Sequence, residues 1–256
     1  MGIGIHTGLY SLSTGFGSRG IPFYGLSFDG DDYASAADAI TGDEFDLGTG
    51  PWAVTAWVKL VADAADGYQA IISNGTGSTS FRIYIKVAAG VCHVSTHTNE
   101  GAPVLDESTT TWARGAWAYI GWILDADGGT CRHYINGVAD ATTADFSALS
   151  TVTNSDAKFI GTYNTTPQSP FAGEIVDLRV WKASTLSAPN VAAEFANTSP
   201  YTYPTTVPTW HGIVGDAPGS SSIRPDTGIS VFTYAAGAAA PTPTGPYTSL
   251  SSGGPV

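Results

Sequence analysis

Aromatic rings are the residues of this 256-residue chain best suited to chemistry, because seven Trp and 12 Tyr exceed what a core of this size needs. An indole or phenol face stacks on the C–H face of a sugar ring while flanking polar groups bond its hydroxyls. Trp57, Trp112, Tyr119 and Trp122 are the candidates for such a glycan platform. The competing reading is that these rings simply pack a core, where large aromatics bury the most surface.

Other chemistries find less support. Retaining glycosidases hold two carboxyl groups roughly 5–5.5 Å apart. Here Glu174 and Asp177 are three apart, hence on opposite faces of a strand, and Glu100, Asp106 and Glu107 fall in a loop. No catalytic residue and no enzymatic activity are expected. His93 and His97 share a strand face but stand roughly 13 Å apart at ~3.3 Å per residue, too far to share a metal directly. Cys92 with Cys131, or His93 with His133, would meet if their strands pair, as a Cys/His cluster or a single disulfide. Without C-x-x-C spacing, and with the one H-x-x-x-H pair, His93 and His97, spread along a strand rather than a helix, no metal and no cofactor is expected. Asp29, Asp31 and Asp32 offer oxygen ligands to a hard cation, although solvated turn carboxylates are the preferred reading. The sequence has neither a Gly-rich phosphate loop followed by Lys-Ser/Thr nor G-x-S-x-G.

The elements that must carry these residues read as strands. WAVTAWVKL (52–60), QAIISN (69–74), FRIYIKV (81–87), VCHVSTH (91–97), AWAYIGWIL (116–124), CRHYIN (131–136) and GEIVDLRVW (173–181) are short and rich in β-branched and aromatic residues. Links such as Ala88–Ala89–Gly90 are short enough for antiparallel hairpins. In the first run Trp52, Val54, Ala56 and Val58 share one face, and Ala53, Thr55, Trp57 and Lys59 the other. Val54, Ala56, Val58, Ile83, Ile85, Ile120, Leu178 and Val180 are expected in the core. The stretch 188–197 suits one short helix, with Pro189 in its first turn and Val191 and Phe195 four apart.

Composition frames the rest. Glycine at 31 and proline at 15 favour turns over long helices, and the size suits one all-β domain. A net charge of -12 repels phosphate backbones, so nucleic-acid binding is not expected. No apolar run approaches the roughly 18 residues of a membrane span, and the first residues lack the basic and apolar regions of a secretory signal. Synthesis in a host cytoplasm, without membrane insertion, is therefore expected. Residues 1–25 read as a Gly/Ser-rich N-terminal arm, 26–198 as the globular domain, and 199–256 as a Pro/Thr/Ser/Gly-rich C-terminal arm without a core of its own. Eight of the 15 prolines follow Tyr201.

Four blocks in order carry a resemblance. LSFDGDDYA (26–34), LGTGPWAVTAWVKL (47–60), GAWAYIGWILDADGGTCRHYINGV (115–138) and FAGEIVDLRVWKASTLSAPNVAAEF (171–195) resemble the laminin G-like, concanavalin A-like jelly-roll family. The resemblance implies an antiparallel two-sheet sandwich, with Trp117 and Trp181 at packing positions. Many relatives depend on calcium through an acidic residue of the closing strand, a position occupied here by Val176, with Asp177 one residue later. Members also occur in bacteriophage virions, so the function expected first is a non-enzymatic virion structural protein, a capsid decoration or tail appendage. Its sandwich is displayed on the virion surface and adheres weakly to glycans; other virion proteins and copies of itself are its partners. The alternative is a lectin-type carbohydrate-binding module of a secreted protein, and a glycan hydrolase or lyase ranks last.

Overall fold

The computed structural model describes residues 23–37, 45, 51–76, 80–98, 104–124, 129–146, 154–164, 166, 168–182 and 188–196, and short C-terminal strands between 210 and 255. The expected N-terminal arm lies almost wholly outside the described residues. The strands are β1 (Phe23–Asp29), β2 (Ala34–Ala36), β3 (Trp52–Leu60), β4 (Gly67–Ser73), β5 (Phe81–Ala88) and β6 (Val91–Thr98). There follow β7 (Val104–Glu107), β8 (Trp112–Ala113), β9 (Ala118–Leu124), β10 (Thr130–Ile135), β11 (Val138–Asp145), β12 (Lys158–Ile160) and β13 (Ala172–Lys182). After helix α1 (Ala188–Ala196) come β14 (Trp210–Gly212), β15 (Ser222–Ile223), β16 (Phe232–Tyr234) and β17 (Thr242–Tyr247).

They form a sandwich of two antiparallel sheets. The first runs β11-β10-β9-β3-β13-β1-β17 with β14 also on β13; the second runs β15-β16-β2-β12-β4-β5-β6-β7 with β8 on β6. Strict alternation builds the interior: Trp52, Val54, Ala56, Val58 and Leu60 of β3 meet Phe81, Ile83, Ile85 and Val87 of β5 in one buried cluster. All eight expected core residues lie in that cluster. The outer face of the first sheet carries a second cluster, in which Ala53, Trp57, Tyr119, Ile123, Tyr134, Val176 and Trp181 are sealed by Val191 of α1, with Phe195 packed against them. Trp181 is therefore in packing, as the resemblance implies, and Trp117 packs against the same cluster.

Two local devices set this arrangement. Asn136 and Gly137, at φ +52° and +77°, make the two-residue turn between β10 and β11, and Phe195 sits where a Cβ on Gly137 would be. In β13 the register shifts between Val176 and Arg179, so an extra residue bulges at Asp177, whose φ is +54°. The bulge resets alternation, letting Ile175, Leu178 and Val180 all face the interior. Beyond Tyr201 the chain adds edge strands to its own sandwich: β17 pairs with β1, β14 with β13, and β16 with β2. Pro243 and Pro246 of β17 are tolerated because that strand is the last of its sheet.

Candidate functional site

The outer face of the second sheet is built by the complementary half of the alternation. In β5 the residues between the core positions are Arg82, Tyr84 and Lys86; in β6 they are His93, Ser95 and His97. The register places them in rows, Arg82 opposite His97, Tyr84 opposite Ser95, and Lys86 opposite His93, while Tyr68 and Ala70 of β4 face Lys86 and Tyr84. Tyr84, 5% exposed, has the small residues Ala70 and Ser95 as its cross-strand neighbours. Tyr163 and Ser169, from the 161–170 loop, complete a cleft of about 290 Å³ lined by Tyr68, Arg82, Tyr84, His97, Tyr163 and Ser169.

The cleft is ordered by aromatic and charge contacts. Tyr84 meets Tyr68 edge-on at 5.6 Å and Tyr163 at 6.4 Å, and the Arg82 guanidinium lies 4.4 Å from the centre of the Tyr163 ring. Arg82 donates to the Thr76 carbonyl at 3.3 Å, while its buried Nε has no hydrogen-bond partner. At the rim, Lys86 and the Tyr68 hydroxyl both donate to Glu107, at 2.6–2.8 Å and 2.6 Å. Burial pushes the Tyr84 phenol up to about 12, and burial with the Arg82 charge lowers His97. Near neutral pH Tyr84 is therefore a neutral phenol and His97 a neutral imidazole beside one guanidinium, which suits stacking and hydroxyl or carboxylate recognition.

The four residues expected to form a platform lie elsewhere. Trp57 is wholly buried under α1, 5.4 Å from Tyr119 and 5.6 Å from Phe195. Trp122 is inside the sandwich, its ring centre 4.0 Å from that of Trp52, and Trp112 belongs to the same interior cluster. Trp57, Trp112, Tyr119 and Trp122 thus fill core, and the packing reading is the correct one for all four. Of the tyrosines that do line a cleft, Tyr84 sits on the outward half of FRIYIKV, Tyr68 at the start of β4 and Tyr163 in a loop, so no single sequence run brings them together.

The other clusters also resolve. Cys92 and Cys131 are buried and unbridged, because β6 and β10 belong to opposite sheets and do not pair. For the same reason His93 does not meet His133: His93 Nδ1 bonds the Ser108 carbonyl at 2.8 Å on the outer face, whereas His133 points inward. Glu174 lies 3.4 Å from Lys59, and Asp177 receives the Arg179 Nε–H at 2.8 Å. Oxygens of Asp29, Asp31 and Asp32 cluster within 4.8 Å of one another, and the buried Asp32 Oδ1 has no hydrogen-bond partner, a donor set of the hard-cation type. The closing strand adds no carboxylate to it. Asp29 pairs with Ala172, five residues or about 16 Å of strand from Asp177, and Val176 is apolar.

The family model described as concanavalin A-like lectin/glucanases superfamily, Laminin G 3, matches residues 28–192. No curated protein matches the sequence. Among solved structures, a candidate carbohydrate-binding protein from Bacteroides ovatus is similar at TM-score 0.62 and 16% identity, over 88% of this chain and 60% of that one. A heptameric SAP-like pentraxin from Limulus polyphemus is similar at 0.55 and 15%, over 84% and 95%. The CBM40 of a Ruminococcus gnavus IT-sialidase, bound to α2,6-sialyllactose, is similar at 0.51 and 17%, over 66% and 95%. At such identities the likeness is one of fold.

Proposed function

Because the chain belongs to the concanavalin A-like lectin/glucanase superfamily through its laminin G-like domain, we propose that it is a non-enzymatic glycan-binding protein whose site is the Tyr68–Tyr84–Tyr163 cleft. The observation that carries this reading is the convergence of three phenol rings on a guanidinium in one cleft of sugar-ring dimensions. The half-buried Tyr68 and Tyr163 offer faces for stacking, and Arg82 supplies a fixed cation for the hydroxyls or carboxylate of an acidic sugar. The carbohydrate-binding descriptions of the Bacteroides and Ruminococcus structures are in keeping with it. A non-enzymatic role is supported by Glu174 and Asp177 being held by Lys59 and Arg179.

A single stacked site is worth millimolar affinity at about 1 kcal/mol per ring, so useful adhesion needs many copies, which raise avidity roughly 10²–10⁴-fold. A virion surface provides such multiplicity, and we propose it as the setting, with copies of this chain and other virion proteins as partners. Support for that setting comes from the sequence alone: the net charge of -12 and the Gly- and Pro-rich ends. Mass spectrometry of purified particles from a producing host would detect the chain; its absence from particles would leave the secreted-module alternative. The glycan reading is tested by presenting the protein multivalently on a glycan array. Tyr163→Ala should lose binding about tenfold or more with its melting temperature within a few degrees of the parent. Binding that survives both Tyr163→Ala and Tyr68→Ala would overturn the assignment.

A further inference from the structure

Away from the cleft, a mixed set of donors converges at the open edge of the sandwich. Asp106 lies on β7, the last strand of the second sheet, and Cys131 and His133 lie on β10, beside the last strand of the first. Cys131 and His133 are two residues apart, so both project from β10 into the space between the sheets, where each is almost wholly buried. One ligand atom from each of Asp106, Cys131 and His133 lies within 4.8 Å of the others.

The fine geometry is that of a coordination shell. His133 Nδ1 stands 3.5 Å from Asp106 Oδ2, close to the separation of two ligands bonded to one metal at about 2.0–2.2 Å in a tetrahedron. It is longer than a good hydrogen bond, and Asp106 Oδ2 is buried with no hydrogen-bond partner. The other imidazole nitrogen, Nε2, is 3.0 Å from the Thr96 hydroxyl, which crosses from the opposite sheet. A proton on Nε2 donated to Thr96 leaves the Nδ1 lone pair aimed at Asp106, the second-shell pattern that orients a metal-bound histidine. Asp140, the neighbouring carboxylate, is occupied by Thr109, Thr110 and Thr142 and adds negative potential without competing as a ligand.

We propose that Asp106, Cys131 and His133 form a binding site for a borderline-soft divalent metal, Zn²⁺ being the best fit. Thiolate, imidazole and carboxylate together select zinc over calcium or magnesium, which take oxygen ligands. Three protein ligands leave a fourth position for water, reached from the sandwich edge, where the Asp106 side chain is 14% exposed. Binding releases the Cys131 thiol proton and joins β10 of the first sheet to the edge strand β7 of the second.

The test uses the full chain, purified in chelator under reducing conditions and then titrated with Co²⁺ and Zn²⁺ in excess Ca²⁺ to saturate carboxylate-only positions. The expected result is about one Co²⁺ per chain with a thiolate-to-cobalt charge-transfer absorption, displaced by Zn²⁺, and a melting temperature raised by several degrees. Cys131→Ser should abolish the absorption, and Asp106→Asn, an edge-strand change that preserves volume, should weaken binding about tenfold or more. Absence of the charge-transfer band in the folded parent would overturn the proposal. So would a band that persists in Cys131→Ser, or Zn²⁺ affinity unchanged in Asp106→Asn.

Discussion

Trp57 and Tyr84 show what residue type does and does not decide. Both are large, amphipathic rings in alternating strands, yet Trp57 is sealed by Phe195 and Tyr119 while Tyr84 edges a cleft. Trp57→Ala and Trp122→Ala are therefore expected to cost about 3–5 kcal/mol each in chemical denaturation, as core truncations do, and to leave glycan binding by the folded fraction intact. Asp32 allows a second prediction at this scale. Burial first, then the Asp29 charge, raises its carboxyl to about 6, above the ordinary 3.8. A raised acid stabilises the fold below its unfolded value, and that contribution disappears as pH climbs through 6. In chelator-treated protein, Asp32→Asn should be more stable than the parent by about 1–2 kcal/mol at pH 7 and no more stable at pH 4. Thermal melts across that range check the sign, and a larger advantage at pH 4 would contradict it.

At the scale of elements, β13 organises the first sheet because β3, β1 and β14 all bond to it. Its start tolerates only glycine: a Cβ on Gly173 would stand 2.1 Å from the Lys59 carbonyl oxygen, and φ is +154°. Gly173→Ala is expected to cost about 3 kcal/mol or more, or to prevent folding, since the obstacle is backbone that cannot rotate away. Helix α1 works differently, as a cover. Val191 lies over Gly121, 3.6 Å from the place a Cβ would take and so at ordinary contact distance, while Tyr134 Cβ of the same sheet, at 3.3 Å, is the tighter neighbour. Phe195→Ala should lower stability by about 2–4 kcal/mol through lost packing on Trp57 and Tyr119, read by denaturant midpoint. The helix was legible from Pro189 and the spacing of Val191 and Phe195. The bulge at Asp177 was not, because alternation within GEIVDLRVW reads as unbroken until Ala56 of β3 is found facing an extra residue.

For the whole molecule, the C-terminal segment changes meaning once pairing is seen. With β17 on β1 and β14 on β13, removal of residues 201–256 uncovers backbone edges on the first sheet, and loss of β16 uncovers β2. The truncated chain is expected to melt several degrees lower and to self-associate, by scanning calorimetry and light scattering; unchanged behaviour would mean the strands add no stability. By itself the sequence determined the all-β class, the eight interior positions and the helix, because strand periodicity and turn residues are local and a buried face repeats every second residue. The four-block resemblance identified the family for the same reason, since each block is contiguous. Only the tertiary structure decided which aromatic rings are open and which are sealed. It also decided that Cys131 meets Asp106 and His133 rather than Cys92. Alternation assigns a residue to one of two faces, but what covers that face comes from another sheet, a loop or a helix far along the chain. Strand order, which no local pattern encodes, sets those neighbours.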